Sequence, residues 1–122
     1  MLAILLPLLL APTVAIGATV GTARIIDGDT IQVAGQRIRL YGIDAPEINQ
    51  LCQRKSIPWL CGTEAARILK EHVAGYAVSC VKSDRDRYGR IVAVCKANGA
   101  DINAAMVLSG MALAYRKYSN VY

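Results

Sequence analysis

The stretch that decides the fold runs from residue 24 to residue 47, RIIDGDTIQVAGQRIRLYGIDAPE. Its DGD triplet at 27–29 is typical of a turn or bulge, because glycine reaches positive φ freely and aspartate tolerates it. The residues TIQV at 30–33 favour a strand, and the AG pair at 34–35 favours a tight reversal. In RIRLY at 37–41 the side chains alternate, so the arginines share one face and the aliphatic residues share the other. The stretch therefore predicts a β-hairpin that returns acidic side chains and an arginine to one end.

The charged side chains of this hairpin and its flanks are those expected at a site for a cation and an anion. They are Asp27, Asp29, Arg39, Asp44 and Glu47. Calcium and magnesium take oxygen ligands from carboxylates and carbonyls, and a guanidinium fits two phosphate oxygens. The pattern also has a structural alternative, in which Asp27 and Asp29 only form a turn and Asp44 only caps the bend before the proline.

The composition indicates one folded domain with a basic surface. The chain has 122 residues, enough for a single modest core. Its 54% hydrophobic and 19% charged residues exclude a disordered composition. The net charge is +5, from 14 basic and 9 acidic residues, and no charged side chain precedes Arg24. This excess of positive charge favours polyanionic partners.

The N-terminal residues 1–17 are expected to be a signal peptide or an apolar anchor. They contain no charge and end in small residues, as secretory signals do, with AIG at 15–17 as a cleavage site. A retained anchor is the alternative, although Pro7 and Pro12 disfavour a long uninterrupted helix. We therefore expect a secreted or periplasmic protein, or else a membrane-anchored one whose domain lies outside the cytoplasm.

The four cysteines fit an oxidising compartment. Cys52 and Cys61 would close a short loop, and Cys80 and Cys95 lie on two apolar runs that can face each other across a hairpin. A zinc site is disfavoured, because no CxxC spacing exists and His72 is the only histidine. Buried free thiols remain open as the alternative to two disulfides.

The remaining elements follow from hydrophobic spacing and turn residues. We predict a first strand at 19–26, an irregular loop at 48–62, a helix at 63–74 capped by Thr63, strands at 76–82 and 91–97, and a second helix capped by Asp101. This order predicts an α+β, mainly β fold: a five-stranded OB-fold barrel with two packed helices.

Three motifs give the chain a resemblance to a known family. IDGDT at 26–30, RIRLYGIDAPE at 37–47 and DRYGR at 86–90 occur in this order and resemble the staphylococcal nuclease (thermonuclease) family. The resemblance extends from about Thr19 to about Tyr118. It implies an OB-fold domain over residues 18–122, and relatives continue into a further C-terminal helix that this sequence does not include.

The resemblance also implies roles for individual residues. The catalytic positions fall on Arg39, Glu47 and Arg90, the calcium positions on Asp29, Asp44 and the carbonyl of Ala45, and the substrate-binding positions on Arg87, Tyr88 and Tyr115.

From the resemblance we expect a calcium-dependent endonuclease that hydrolyses DNA and RNA and leaves 3′-phosphate ends. OB-fold barrels bind single strands on one face, so single-stranded substrates are favoured. We expect a monomer with no obligate protein partner, and a membrane contact only if the leader is retained. The alternative is a non-catalytic OB-fold module that binds nucleic acid, but such a module is expected to lack the acidic residues that are present here.

Overall fold

The computed structural model describes residues 3–8 and 17–115. Within these residues the chain forms eleven strands and two helices. The strands are β1 Ala18–Gly21, β2 Ala23–Asp27, β3 Thr30–Val33, β4 Gln36–Leu40, β5 Ile43–Asp44, β6 Cys52–Arg54, β7 Ile57–Trp59, β8 Val78–Arg85, β9 Ile91–Ala97, β10 Ala100–Asp101 and β11 Leu113–Ala114. The helices are α1 Cys61–Val73 and α2 Ile102–Leu108. The predicted cleavage site at 15–17 lies largely outside the described residues.

Seven strands form one mixed sheet in the order β1-β8-β9-β4-β3-β2, with β10 paired to β9. All neighbours are antiparallel except β4 and β9, which run parallel. Two short ribbons, β5–β11 and β6–β7, complete the structure. The predicted α+β, mainly β architecture with two helices is confirmed, and its strand order is OB-like.

The sheet differs in one respect from the five-stranded barrel predicted from the sequence. The first strand is divided at Thr22, so that β1 pairs with β8 and β2 pairs with β3. Each half therefore uses its ladder hydrogen bonds on a different neighbour. The sheet path begins and ends in these two consecutive segments, and within residues 17–115 the hydrogen-bonded barrel is not closed.

The core lies between the sheet and the two helices. In β4 the side chains of Ile38 and Leu40 are buried, while Arg37 is exposed, which confirms the predicted alternation. Leu69 of α1 and Met106 of α2 are fully buried against the same cluster. Arg39, on the outer face of β4, is consequently available to the site. Neither helix in the described part of the chain is long and apolar enough to cross a membrane.

A fully buried asparagine joins α2 to the end of β4. The amide oxygen of Asn103 accepts a hydrogen bond from the Cys95 amide at 3.1 Å. Its Nδ2 donates to the carbonyls of Tyr41 at 2.9 Å and Ala93 at 3.1 Å. A buried polar group is retained without penalty only when it is hydrogen-bonded in this way. Asn103 therefore fixes the backbone that follows Arg39.

Both predicted disulfides are present, and no cysteine is free. Cys80 and Cys95 are direct partners in the β8–β9 register, with Cα atoms 4.0 Å apart. Cys52 and Cys61 are bonded with Cα atoms 5.6 Å apart, and this bond ties the β6–β7 hairpin to the start of α1.

The irregular loop predicted at 48–62 is wrong in part, because the structure has a hairpin there. β6 and β7 are joined by Lys55 and Ser56, both with positive φ, 52° and 67°. Tight hairpin turns of this kind usually carry Asn-Gly or Asp-Gly. A Lys-Ser pair does not match these sequences, so the sequence did not predict a hairpin here. The helix after the hairpin also begins earlier than predicted, at Cys61, and Thr63 is not its N-cap.

Gly28 offers a test of how tightly the first turn is packed. A Cβ at this position would lie 2.7 Å from the Ala65 Cβ and 2.8 Å from the Ala45 Cβ. We expect Gly28→Ala to lower the free energy of unfolding by about 1–3 kcal/mol, as overpacking does. Gly21→Ala is the matched control, since its Cβ would meet its nearest neighbour at 3.5 Å. Equal losses for the two variants in urea unfolding would contradict this packing.

Candidate active site

Asp29 is the buried acid of the site. The turn at 27–29 places it immediately before β3, where its carbonyl accepts the Leu40 amide at 2.8 Å. Its Oδ2 accepts the Ala45 amide at 2.8 Å, and its Oδ1 accepts the Thr30 hydroxyl at 3.0 Å. The carboxylate therefore links the start of β3 to the segment after β5.

Burial raises the pKa of Asp29 to about 7, and the Asp27 side chain acts in the same direction. The Arg39 guanidinium and the Ala45 amide act against this shift, because both favour the ionised form. Desolvation of the charged form is the largest cause of this shift. An added positive charge near Asp29 would therefore stabilise its ionised form and lower its pKa.

Arg39 connects the two carboxylates of the site. It faces Thr30 in the β3–β4 register, which brings its guanidinium beside Asp29. Nη2 lies 3.3 Å from Asp29 Oδ2 and 3.5 Å from Asp44 Oδ1. Nη1 donates to the carbonyls of Leu40 at 3.1 Å and Ile43 at 2.9 Å. The guanidinium is therefore fixed in one orientation, with only 19% of the side chain exposed.

Arg90 is held by a carboxylate from its own turn. Its Nε donates to Asp86 Oδ2 at 2.6 Å. Asp86 Oδ1 accepts the backbone amides of Tyr88 and Arg90, each at 2.9 Å. Partial burial acts to raise the pKa of Asp86, but these hydrogen bonds outweigh it and hold the pKa below its ordinary value. Asp86 is thus an ionised partner that orients Arg90.

Two arginines stack on the exposed ring of Tyr88. The guanidinium carbons of Arg87 and Arg90 lie 5.0 Å and 5.6 Å from its ring centroid. Cation–π contacts of this kind form within about 6 Å of the centroid. The stack places two positive charges around one aromatic surface at the tip of the β8–β9 hairpin.

One cleft of about 800 Å³ collects most of the predicted site residues. It is bounded by the end of β4, the β8–β9 turn and the residue after β11. Of the residues predicted from the sequence, it is lined by Arg39, Arg87, Tyr88, Arg90 and Tyr115. The parallel pairing of β4 with β9 aligns Arg39 with Val92, which places Arg90 at the same edge of the sheet.

Glu47 is positioned through its backbone. Its carbonyl lies against Gly62 of α1, where an added Cβ would be only 1.6 Å from that oxygen. Its amide donates to Gln50 Oε1 at 3.2 Å, and its carbonyl accepts the Gln50 amide at 2.8 Å. The Glu47 side chain is exposed. Glycine at position 62 is therefore required for this close approach.

Comparison with known proteins identifies the fold family. A family model described as staphylococcal nuclease homologue matches residues 37–122. The chain belongs to the staphylococcal nuclease family. The match includes the segment from Arg39 to Glu47 and the β8–β9 turn.

Several proteins are similar to this staphylococcal nuclease homologue. A succinoglycan biosynthesis protein of Rhizobium meliloti (strain 1021) is 41% identical over 97 residues, which cover 77% of this chain and 51% of that protein. An uncharacterized endonuclease of Escherichia coli is 40% identical over 101 residues, which cover 79% of this chain and 60% of that protein. A micrococcal nuclease of Shigella flexneri is 37% identical over 108 residues, which cover 78% of this chain and 57% of that protein. The chain thus spans between half and about three fifths of these relatives.

The oxygen ligands that this chain offers fit a hard cation in their chemistry. Asp29 and Asp44 supply carboxylate oxygens that converge on Arg39, and Asp29 is a desolvated acid. Among the described residues, no three His, Cys, Asp or Glu side chains lie close enough together to hold a metal ion. Glu47 therefore does not join the two aspartates, and carbonyl and water oxygens would have to complete a calcium site.

Sequence reasoning left three positioning residues without a role. Asp86 opens the DRYGR motif, and its position four residues before Arg90 was the only sign in the sequence that the two side chains could pair. Asn103 was the one amide in the apolar stretch INAAMVL. Gly62 gave no indication in its local sequence, because its contact with Glu47 is a tertiary one.

The raised pKa of Asp29 predicts how stability depends on pH. The folded protein binds this proton more tightly than the unfolded chain, whose Asp has a pKa near 3.8. In metal-free buffer the contribution of Asp29 to folding stability is therefore lost as pH rises from about 4 to about 7.

Asp29→Asn removes this titration, and denaturant unfolding across the pH range is the measurement. We expect the variant to gain stability relative to the parent between pH 4 and pH 7. A stability difference that stays constant over this range would contradict the burial of an ionisable acid at position 29.

Proposed function

We propose that this protein is a calcium-dependent nuclease that hydrolyses phosphodiester bonds in DNA and RNA. One observation carries the proposal: Arg39 and Arg90 line a single cleft with three tyrosines, and the carboxylates of Asp29 and Asp44 lie beside it. Membership of the staphylococcal nuclease family supports it, as do relatives that carry the names endonuclease and micrococcal nuclease.

Arg39 and Arg90 would bind the oxygens of the scissile phosphate. Both guanidinium groups are held by carboxylates or carbonyls, so each has a fixed direction before substrate arrives. Preorganised donors stabilise charge that develops in the transition state and usually supply the largest share of catalysis. Arg39 keeps its plane through contacts to two carbonyls, which leaves Nη2 toward the acidic side of the cleft.

Glu47 would orient or deprotonate the attacking water. Its side chain is exposed, and its backbone packs against Gly62. The carboxylate is therefore accessible to water while the backbone that carries it is held in place. Asp29, Asp44 and the Ala45 carbonyl would hold calcium. A calcium ion bound there would neutralise phosphate charge and lower the pKa of a coordinated water.

The rings of Tyr88 and Tyr115 would contact the sugar or base next to the scissile bond, with Arg87 on a neighbouring phosphate. Contacts to phosphates and base faces do not test for a 2′-hydroxyl, which supports action on both DNA and RNA. An open cleft with exposed aromatic rings favours single strands. We propose products with 3′-phosphate ends and a monomeric enzyme.

Two disulfides indicate an oxidising compartment. With the uncharged, apolar residues 1–17, they support our proposal that the protein is exported and acts outside the cytoplasm.

The role of Glu47 predicts a loss of turnover without a loss of binding. We expect Glu47→Gln to reduce kcat about 100- to 10,000-fold, the usual contribution of a general base, and to leave oligonucleotide affinity nearly unchanged. Glu71→Gln, on the exposed side of α1, is the matched control and should retain full activity. The assay is degradation of single-stranded DNA with calcium, with end-group analysis of the products.

A chelator should stop the wild-type reaction, and added calcium should restore it. Undiminished cutting with chelator present would refute the metal assignment. Oligonucleotide binding without any cutting, in calcium, would instead identify a non-catalytic OB-fold module.

Asp86 offers a test of whether Arg90 must be held in place. We expect Asp86→Ala to lower kcat/KM by up to about 100-fold, because a misplaced guanidinium stabilises the transition state poorly. Asp84→Ala is the matched control: it removes the same charge from the same cleft, but the Asp84 carboxylate accepts the Arg85 amide and does not hold Arg90. Equal effects of the two substitutions would show that charge, and not the orientation of Arg90, is responsible.

A further inference from the structure

The β6–β7 hairpin walls a second, smaller cleft that the proposed mechanism does not use. This cleft has a volume of about 340 Å³. Its lining includes Asp44, Ala45, the Cys52–Cys61 disulfide and Trp59, with residues 110–113 on the opposite side. Asp44 therefore belongs both to this cleft and to the ion pair with Arg39.

The two clefts share the β5–β11 ribbon as a common wall. Asp44 and its Cα partner Leu113 line the smaller cleft, while Ile43 and Tyr115 line the larger one. The ribbon therefore lies between the two clefts, with Asp44 and Leu113 on the smaller one and Ile43 and the residue after β11 on the larger one. A strand of nucleic acid that passes from the larger cleft over this ribbon would reach the smaller one.

The hairpin carries the side chains that a single strand requires. The Arg54 guanidinium carbon lies 4.6 Å from the centroid of the Trp59 ring, which is half-buried at the cleft. Lys55, at the tip of the hairpin, is exposed, and Ile57 is 67% exposed as the cross-strand partner of Arg54. An aromatic ring beside basic side chains is the combination that binds bases and phosphates of single strands without sequence preference.

We propose that this cleft is a second nucleotide subsite, which takes a base of the single strand against Trp59 and the neighbouring phosphate against Arg54 and Lys55. The proposal rests on the proposed function, because it extends the path of the same substrate across the β5–β11 ribbon. It commits to a polynucleotide occupant, in keeping with the net charge of +5, the basic side chains of the hairpin and the position of the two clefts on either side of the β5–β11 ribbon.

Trp59 is the only tryptophan of the chain, so its fluorescence reports on this cleft alone. We would titrate Glu47→Gln protein in calcium with a mononucleotide and with a single-stranded tetranucleotide, and check afterwards that the tetranucleotide is intact. The mononucleotide should bind in the larger cleft and leave Trp59 emission unchanged. The tetranucleotide should quench it. Unchanged emission at saturating tetranucleotide would overturn the proposal.

Variants give a second readout through the anisotropy of a labelled tetranucleotide. Trp59→Leu should weaken tetranucleotide binding about 5- to 100-fold, the effect expected when one base–aromatic stack is removed, and leave mononucleotide binding unchanged. Retained mononucleotide binding shows that the variant is folded. Tetranucleotide binding equal to that of the parent would overturn the proposal.

The basic pair is tested by salt dependence. The double variant Arg54→Gln/Lys55→Gln should lower the slope of log affinity against log salt by about 0.7 for each phosphate that the protein no longer neutralises. The matched control, Lys70→Gln/Lys96→Gln, removes two exposed charges from α1 and β9, outside the β6–β7 hairpin, and should keep the parental slope. Equal slopes for both double variants would overturn the assignment of Arg54 and Lys55.

These readouts separate the subsite from the nuclease activity. A protein that cuts DNA but shows no Trp59 response has the proposed function without the second subsite. A protein that responds through Trp59 but never cuts has the subsite without the proposed function.

Discussion

The structure around the site depends on one guanidinium. Arg39 donates to two backbone carbonyls through Nη1 and lies beside two carboxylates through Nη2. A guanidinium presents its donors in one rigid plane, so these partners cannot move independently. The start of β3, the end of β4 and the short strand β5 are thereby held in one arrangement. The proposed cation site and the proposed phosphate site share this single residue.

This arrangement costs stability, which is typical of functional sites. A desolvated carboxyl such as Asp29, with its pKa raised to about 7, opposes folding whenever it is ionised. An asparagine at the same position could still accept the Ala45 amide. The packing therefore does not explain an acid here, whereas the ion pair with Arg39 and the proposed cation site do. The disulfide across β8 and β9 and the hydrogen-bonded Asn103 strengthen the sheet that carries this site.

The sequence predicted those parts of the fold whose causes are local. The alternation in β4 placed Ile38 and Leu40 inside, and β9 was predicted with the bounds it has, 91–97. The β6–β7 hairpin was missed because its turn is a Lys-Ser pair with positive φ, which is not one of the usual hairpin-turn sequences. The same holds for the site: the cleft-lining arginines follow from motifs, whereas Gly62 and Asn103 act through tertiary contacts that no spacing encodes. The division of the first strand at Thr22 was not predicted either, because it results from pairing β1 with β8 and β2 with β3.

The β6–β7 hairpin connects the redox state of the chain to the extent of its binding surface. Each of its strands has three residues, and an isolated hairpin of this size is marginal at best in water. What holds it is the Cys52–Cys61 bond together with the Arg54–Trp59 stack, since Arg54, Lys55 and Ile57 are all exposed. The larger cleft, by contrast, is built from sheet strands and does not need that bond. The Cys52–Cys61 bond would thus be a condition for the smaller cleft and not for the larger one, so loss of this bond would affect how many nucleotides the proposed binding surface holds more than whether the larger cleft binds a phosphate at all.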